Sequence, residues 1–132
     1  NKITVILDEG TLGTVFIEEA LEKYASEVIK TNTLVFGGIL DGNCRKILEG
    51  ILVREDIGLV HCDSADVVSN QVMRIVEAHD KNIDFSCSNN EKMCCGEGVC
   101  GCCTIMNDDE KLRRLCKMQT KPKYIFEGRR LL

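Results

Sequence analysis

The sequence predicts an α/β fold, a partial doubly wound parallel sheet followed by a small cysteine-rich C-terminal module. Short apolar, β-branched runs alternate with helically spaced stretches up to residue 80, and parallel neighbours need crossover helices of that kind. At Asp80-Lys81-Asn82 the texture changes, which divides a domain over 1–82 from a module over 83–132. Six of the nine cysteines then crowd into CCGEGVCGCCTIMNDDEKLRRLC, residues 94 to 116.

The elements follow in order. ITVIL, residues 3–7, has little alternation and predicts a strand covered on both faces. After a DEGTLGT loop, TVFIEEALEKYASEVI predicts a helix with Val15, Phe16, Ala20, Leu21, Tyr24 and Val28 inward and Glu18, Glu19 and Lys23 outward. A strand from about Thr33 to Phe36 meets Gly37 and Gly38, and CRKILEGILVRE reads as a helix with Ile47, Leu48, Ile51 and Leu52 inward. DIGLVH, from Asp56 to His61, is a third buried strand. CDSADVVSNQVMRIVEAHD then forms a helix that turns Val67, Val68, Val72, Ile75 and Val76 inward. CTIMNDDEKLRRLC predicts a hairpin turning at Asn107-Asp108-Asp109, and KYIFEGRRLL closes as an extended tail.

Composition excludes several function classes. Lys plus Arg is 17 against 21 Asp plus Glu, a formal charge of -4, so nothing advertises nucleic acid or an anionic lipid surface. Lys121, Lys123, Arg129 and Arg130 form a locally basic stretch that reads as a solvated face. No apolar run approaches the roughly 20 residues that span a bilayer. NKITVILD has no secretory-signal features, and the expectation is a soluble, cytoplasmic chain.

The chemistry sits in the cysteines. Cys95, Cys100 and Cys103, followed at a distance by Cys116, give C-x4-C-x2-C plus a fourth thiol, the plant-type [2Fe-2S] ligand spacing. Gly96, Gly98 and Gly101 lie between the first three ligands. Their missing Cβ atoms allow positive φ and close backbone approach, and their N–H groups can donate to cluster sulfurs. Cys94 and Cys102 do not fit the template. Either could replace a neighbour in the register, and otherwise both read as small buried hydrophobes, as do Cys44, Cys62 and Cys87.

Three other readings of the cysteines stay open. A structural zinc site also uses four thiolates, although zinc ribbons favour two CxxC pairs. A disulfide framework sits poorly with an odd, crowded set. Oxidant-sensing thiols on a nucleotide-binding domain would need no metal. No side chain is assigned as catalytic acid or base: His61 and His79 read as structural or solvated, and Glu18-Glu19 and Asp108-Asp109-Glu110 as solvated acids. Met73, Met93, Met106 and Met118 are scattered packing residues.

SCSNNEKMCCGEGVCGCCT with the later RRLCK resembles the C-terminal part of the electron-transfer subunit of two-component dihydroorotate dehydrogenases. It is also similar to sulfide dehydrogenase and hydrogenase electron-transfer subunits. The likeness is motif-specific over 86–116 and one of layout over 1–80. It implies a ferredoxin-NADP reductase-like domain that binds NAD(P) and a C-terminal [2Fe-2S] module. An FAD-binding barrel would precede residue 1, with ITVILDEG matching the family's second strand. The resemblance further implies that electrons pass from NAD(P)H through FAD and the cluster to a partner catalytic flavoprotein subunit, as in pyrimidine biosynthesis. Cys62 matches the cysteine of the family's cysteine-glycine-proline turn, with Asp63 and Ser64 in place of glycine and proline. Asp41-Gly42 resembles its acidic-glycine turn, so Cys62, Asp41 and Gly42 are the nucleotide-binding candidates. Gly10-Thr11-Leu12-Gly13 is the sole phosphate-loop candidate, and Asp8 and Glu9 beside it would repel a pyrophosphate. The competing function is a zinc-stapled protein-interaction module without redox activity.

Overall fold

β-Branched residues open the chain as β1 (Thr4–Asp8), which pairs in parallel with β2 (Glu27–Thr31) from Thr4 opposite Glu27 to Asp8 opposite Thr31. The structure, a computed structural model, describes residues 2–8, 17–32, 40–88, 93–107, 109–123 and 125. Two compact units divide the chain, Asn1–Asp56 and Ile57–Leu132. The architecture is mixed α/β, with three two-stranded sheets among the described residues.

In the first unit the expected long helix is shorter. α1 spans Glu18–Tyr24, and Ala25 leaves the helix with φ −82° and ψ 144°. Glu27–Thr31 is strand rather than helix because Val28, Ile29 and Thr31 are β-branched and β1 offers the backbone a ladder, extended by Ser26 N–H donating to the Ile3 carbonyl at 2.7 Å. Nothing in α1 is buried, and Tyr24, expected inward, is 70% exposed with the Lys23 ammonium 5.4 Å from its ring centroid. Nor is β1 covered on both faces, since only Leu7 is buried.

α2 (Gly42–Arg54) starts where the Asp41 carboxylate accepts from the Cys44 N–H, satisfying one of the helix's orphan donors. Its buried residues Cys44, Leu48, Ile51 and Leu52 recur at the spacing of one apolar stripe, and Ile47 lies half-buried at its margin. Ile29 of β2 lines a shallow cleft with Ile47 and Ile51. Polar contacts tie the end of α2 to the strands: Lys2 pairs with Glu55 at 2.7 Å, Thr4 Oγ1 donates to Glu55 at 3.2 Å, and Arg54 pairs with Glu27 at 2.6 Å.

The second unit opens as β3 (Leu59–Cys62), α3 (Asp66–His79) and β4 (Asp84–Cys87). β3 and β4 are parallel, with Leu59 opposite Asp84 and Cys62 opposite Cys87. β4 follows the change of texture at 80–82. β3 alternates exposed and half-buried residues instead of being buried throughout, because β4 is its partner on one side and α3 packs on the pair. The buried face of α3 is Ser69, Val72, Met73 and Val76. Val67, expected inward, is 55% exposed, since two residues before Ser69 is about 200° around the helix.

The predicted hairpin is present as β5 (Thr104–Met106) and β6 (Leu112–Arg114), antiparallel with Thr104 opposite Arg114. Its turn is closed by Asn107 N–H to the Lys111 carbonyl at 3.0 Å, with Glu110 at φ 58°. A 3-10 turn over Leu115–Lys117 follows. The predicted strand at 33–36, the 10–13 loop and most of the C-terminal tail lie outside the described residues. Among the described residues no helix is long and apolar enough to cross a membrane.

Candidate metal centre

The loop carrying the first three candidate ligands bends at its glycines. Gly96, Gly98 and Gly101 have φ of 67°, 73° and 76°, backbone that L-residues with a Cβ adopt at a cost. These turns point N–H groups at sulfur: Glu97 N–H donates to Cys95 Sγ at 3.3 Å and Cys100 N–H to the same sulfur at 3.5 Å. Gly101 is held by Thr104, whose N–H and hydroxyl both donate to its carbonyl, at 3.0 and 2.7 Å.

The hairpin brings back the fourth thiol. Thr104 opposite Arg114 sets Cys103 just before β5 and Cys116 just after β6, and Leu115 N–H donates to the Cys103 carbonyl at 3.1 Å. The register thus sets Cys103 and Cys116 at neighbouring strand ends, while Cys95 and Cys100 are joined through the Cys100 N–H. The charge of Cys95 acts on both Cys103 and Cys116. Cys103 is 2% exposed, Cys116 is half-buried, and Cys95 and Cys100 are exposed.

Each sulfur's acidity follows from its neighbours. The Cys100 N–H, then the Cys100 thiol and the Glu97 and Val99 N–H groups, pull Cys95 down to about 6. Cys103 is lowered by the N–H and thiol of Cys116. Cys116 is raised, first because its thiol hydrogen-bonds Cys103 and then by burial, while the Gly98 N–H donating to its sulfur acts the other way. Soft thiolates held among backbone donors form a donor set suited to thiophilic metals and iron–sulfur clusters.

Cys94 and Cys102 are exposed, not the small buried hydrophobes expected of them. With Cys100 they form a group whose sulfurs all lie within 4.8 Å of one another. Cys102 is raised by its hydrogen bond to the Cys100 thiol and by the charges around it. The signal for this group was present in the sequence as C-x5-C-x-C, interleaved with the template spacing and hidden by it.

The nucleotide-binding candidates sit elsewhere. Asp41 caps α2, and Gly42 is its first residue, with nothing within 4 Å of a built Cβ and so no steric demand for glycine. Cys62 ends β3, its sulfur 3.2 Å from Ser64 Oγ and 3.5 Å from the buried Ser69 Oγ. Cys87 opposite it is raised by burial and then by the Cys62 charge. Cys44 is buried in α2. His61, expected to be structural or solvated, is exposed and bonds Ser86 through Nδ1 at 2.8 Å. No protein-family model and no curated protein matches the chain.

Proposed function

We propose that the chain is an electron-transfer component of an NAD(P)H-dependent flavo-iron-sulfur oxidoreductase. In this reading Cys95, Cys100, Cys103 and Cys116 hold a [2Fe-2S] cluster that serves a partner catalytic flavoprotein of the dihydroorotate dehydrogenase kind. The strand–helix units belong, in this reading, to a doubly wound, ferredoxin reductase-like layer; Cys62, Asp41 and Gly42 are its nucleotide-binding candidates, and FAD is the intervening carrier.

The observation that supports this reading is the linkage of the four sulfurs. The Cys100 N–H donates to Cys95 Sγ at 3.5 Å, the hairpin register and the Leu115 N–H to the Cys103 carbonyl bring Cys103 and Cys116 to neighbouring strand ends, and the charge of Cys95 acts on both members of that second pair. The Glu97 and Cys100 N–H groups donate to Cys95 Sγ, an arrangement that favours the thiolate form required of that ligand. A bound cluster supplies a one-electron carrier. Cys95, Cys100, Cys103 and Cys116 would hold it on a loop bent at Gly96, Gly98 and Gly101, with Cys103 a buried ligand and Cys95 and Cys100 exposed ones. One-electron transfer calls for no side-chain acid or base.

Anaerobic reconstitution with iron and sulfide tests the reading. A brown protein that bleaches with dithionite is expected, with Cys116→Ser removing or destabilising the chromophore and Cys44→Ser leaving it intact. Equal loss in both variants overturns the ligand set, and a colourless protein retaining zinc favours the zinc-stapled interaction module.

A further inference from the structure

We infer that this loop carries a second, overlapping metal site: Cys94, Cys100 and Cys102 bind a single soft d10 cation, Zn2+ or Cu+, and do so only when the four-thiolate site is empty. Exclusivity rests on the ligand set proposed above, because Cys100 belongs to both groups.

The three sulfurs already converge. They lie within 4.8 Å of one another, and thiols bound to one zinc at about 2.3 Å stand about 3.8 Å apart. Closing the group takes movements of about 1 Å. Cys102 and Cys94 both lie beside Cys100 within that group, while the Cys100 N–H donates to Cys95 Sγ at 3.5 Å. Cys100 therefore sits at the junction of the two sets. All three thiols are exposed, so a cation reaches them without unfolding. Thiolate donors select soft d10 ions over hard divalent cations. Two exposed cysteines flanking an intended ligand make a site that captures zinc or copper before iron and sulfide arrive.

Cd2+ is the probe, because its sulfur charge-transfer absorption counts thiolate ligands, with Zn2+ competition as a second readout. Metal-free Cys95→Ser/Cys116→Ser protein, which lacks half of the four-thiolate set, is expected to bind one Cd2+ through three sulfurs. Adding Cys94→Ser/Cys102→Ser to that background should weaken binding by about 100-fold or more, since even outer-shell changes cost up to about that much. Unchanged affinity overturns the site. In the otherwise native chain, Cys94→Ser/Cys102→Ser should still assemble the brown chromophore, which also reports that the loop folds. Cluster-loaded native protein should take up no tight Cd2+ while the chromophore persists, and stoichiometric uptake without bleaching overturns the exclusivity. Failure to assemble any cluster would count against the proposed function alone, because the Cd2+ titrations of the serine variants do not depend on it.

Discussion

The Glu97 carboxylate meets the Lys117 ammonium at 2.9 Å, joining the glycine-rich loop to the 3-10 turn that carries Cys116. Both side chains are largely in water, 77% and 49% exposed, and such pairs contribute little and are screened by salt. Glu97→Gln is therefore expected to change the rate of cluster loss to a chelator by less than about twofold, with the difference vanishing at high salt. A large, salt-independent loss would mean that Glu97 does more than pair.

Gly98 should matter far more. Its φ of 73° is strained for alanine, and a Cβ there would come 3.0 Å from Lys117 Cγ. Gly96, at φ 67°, has nothing within 4 Å. Gly96→Ala meets only the backbone penalty, about 1 kcal/mol, whereas Gly98→Ala adds the close approach to the Lys117 side chain. Chromophore yield on reconstitution should fall in the order native, Gly96→Ala, Gly98→Ala. Combining Gly98→Ala with Lys117→Ala should recover the Gly96→Ala level. No recovery would assign the defect to φ alone.

Register of α3 can be read from two valines. Val76 is fully buried and Val67 is 55% exposed. Val76→Ala removes two buried carbons and leaves a cavity, a loss of about 2 kcal/mol. Val67→Ala should stay within about 0.5 kcal/mol of native. Denaturant unfolding measures both, and equal losses would place Val67 on the packed face.

Acid should loosen the hairpin through Asp109. The Arg113 guanidinium, 2.8 Å away, and the Lys111 N–H hold this carboxyl below its ordinary 3.8. A carboxylate depressed in the folded state contributes stability above its unfolded value and loses it as pH falls through the folded one. The stability gap between native protein and Asp109→Asn should be constant from neutral pH down to about pH 5 and close in more acidic solution. A gap that widens on acidification would reverse the assignment.

Much of the architecture was legible in local pattern. The stripe at Leu48, Ile51 and Leu52 and the hairpin across residues 104–114 follow from periodicity and turn chemistry, and both are present as expected. Positive φ at Gly96, Gly98 and Gly101 follows from what a tight loop demands of residues between ligands. Val28 and Ile29 misled, because a short apolar segment suits the end of a helix as well as a strand, and only pairing with β1 decides between them. Val67 misled likewise, because a run of valines marks an apolar helix without saying which of them faces the core.

The sequence alone determined that thiols and glycines would gather in one loop, since residue type and spacing set which backbone turns are accessible and which donors lie within reach. Which thiols approach which was decided only in three dimensions. Cys103 meets Cys116 because an antiparallel register aligns the ends of two strands, and Cys94 and Cys102 converge on Cys100 because left-handed turns reverse the chain between them. Contacts between residues far apart in the chain depend on register and on loop curvature, and neither is written in the spacing of cysteines.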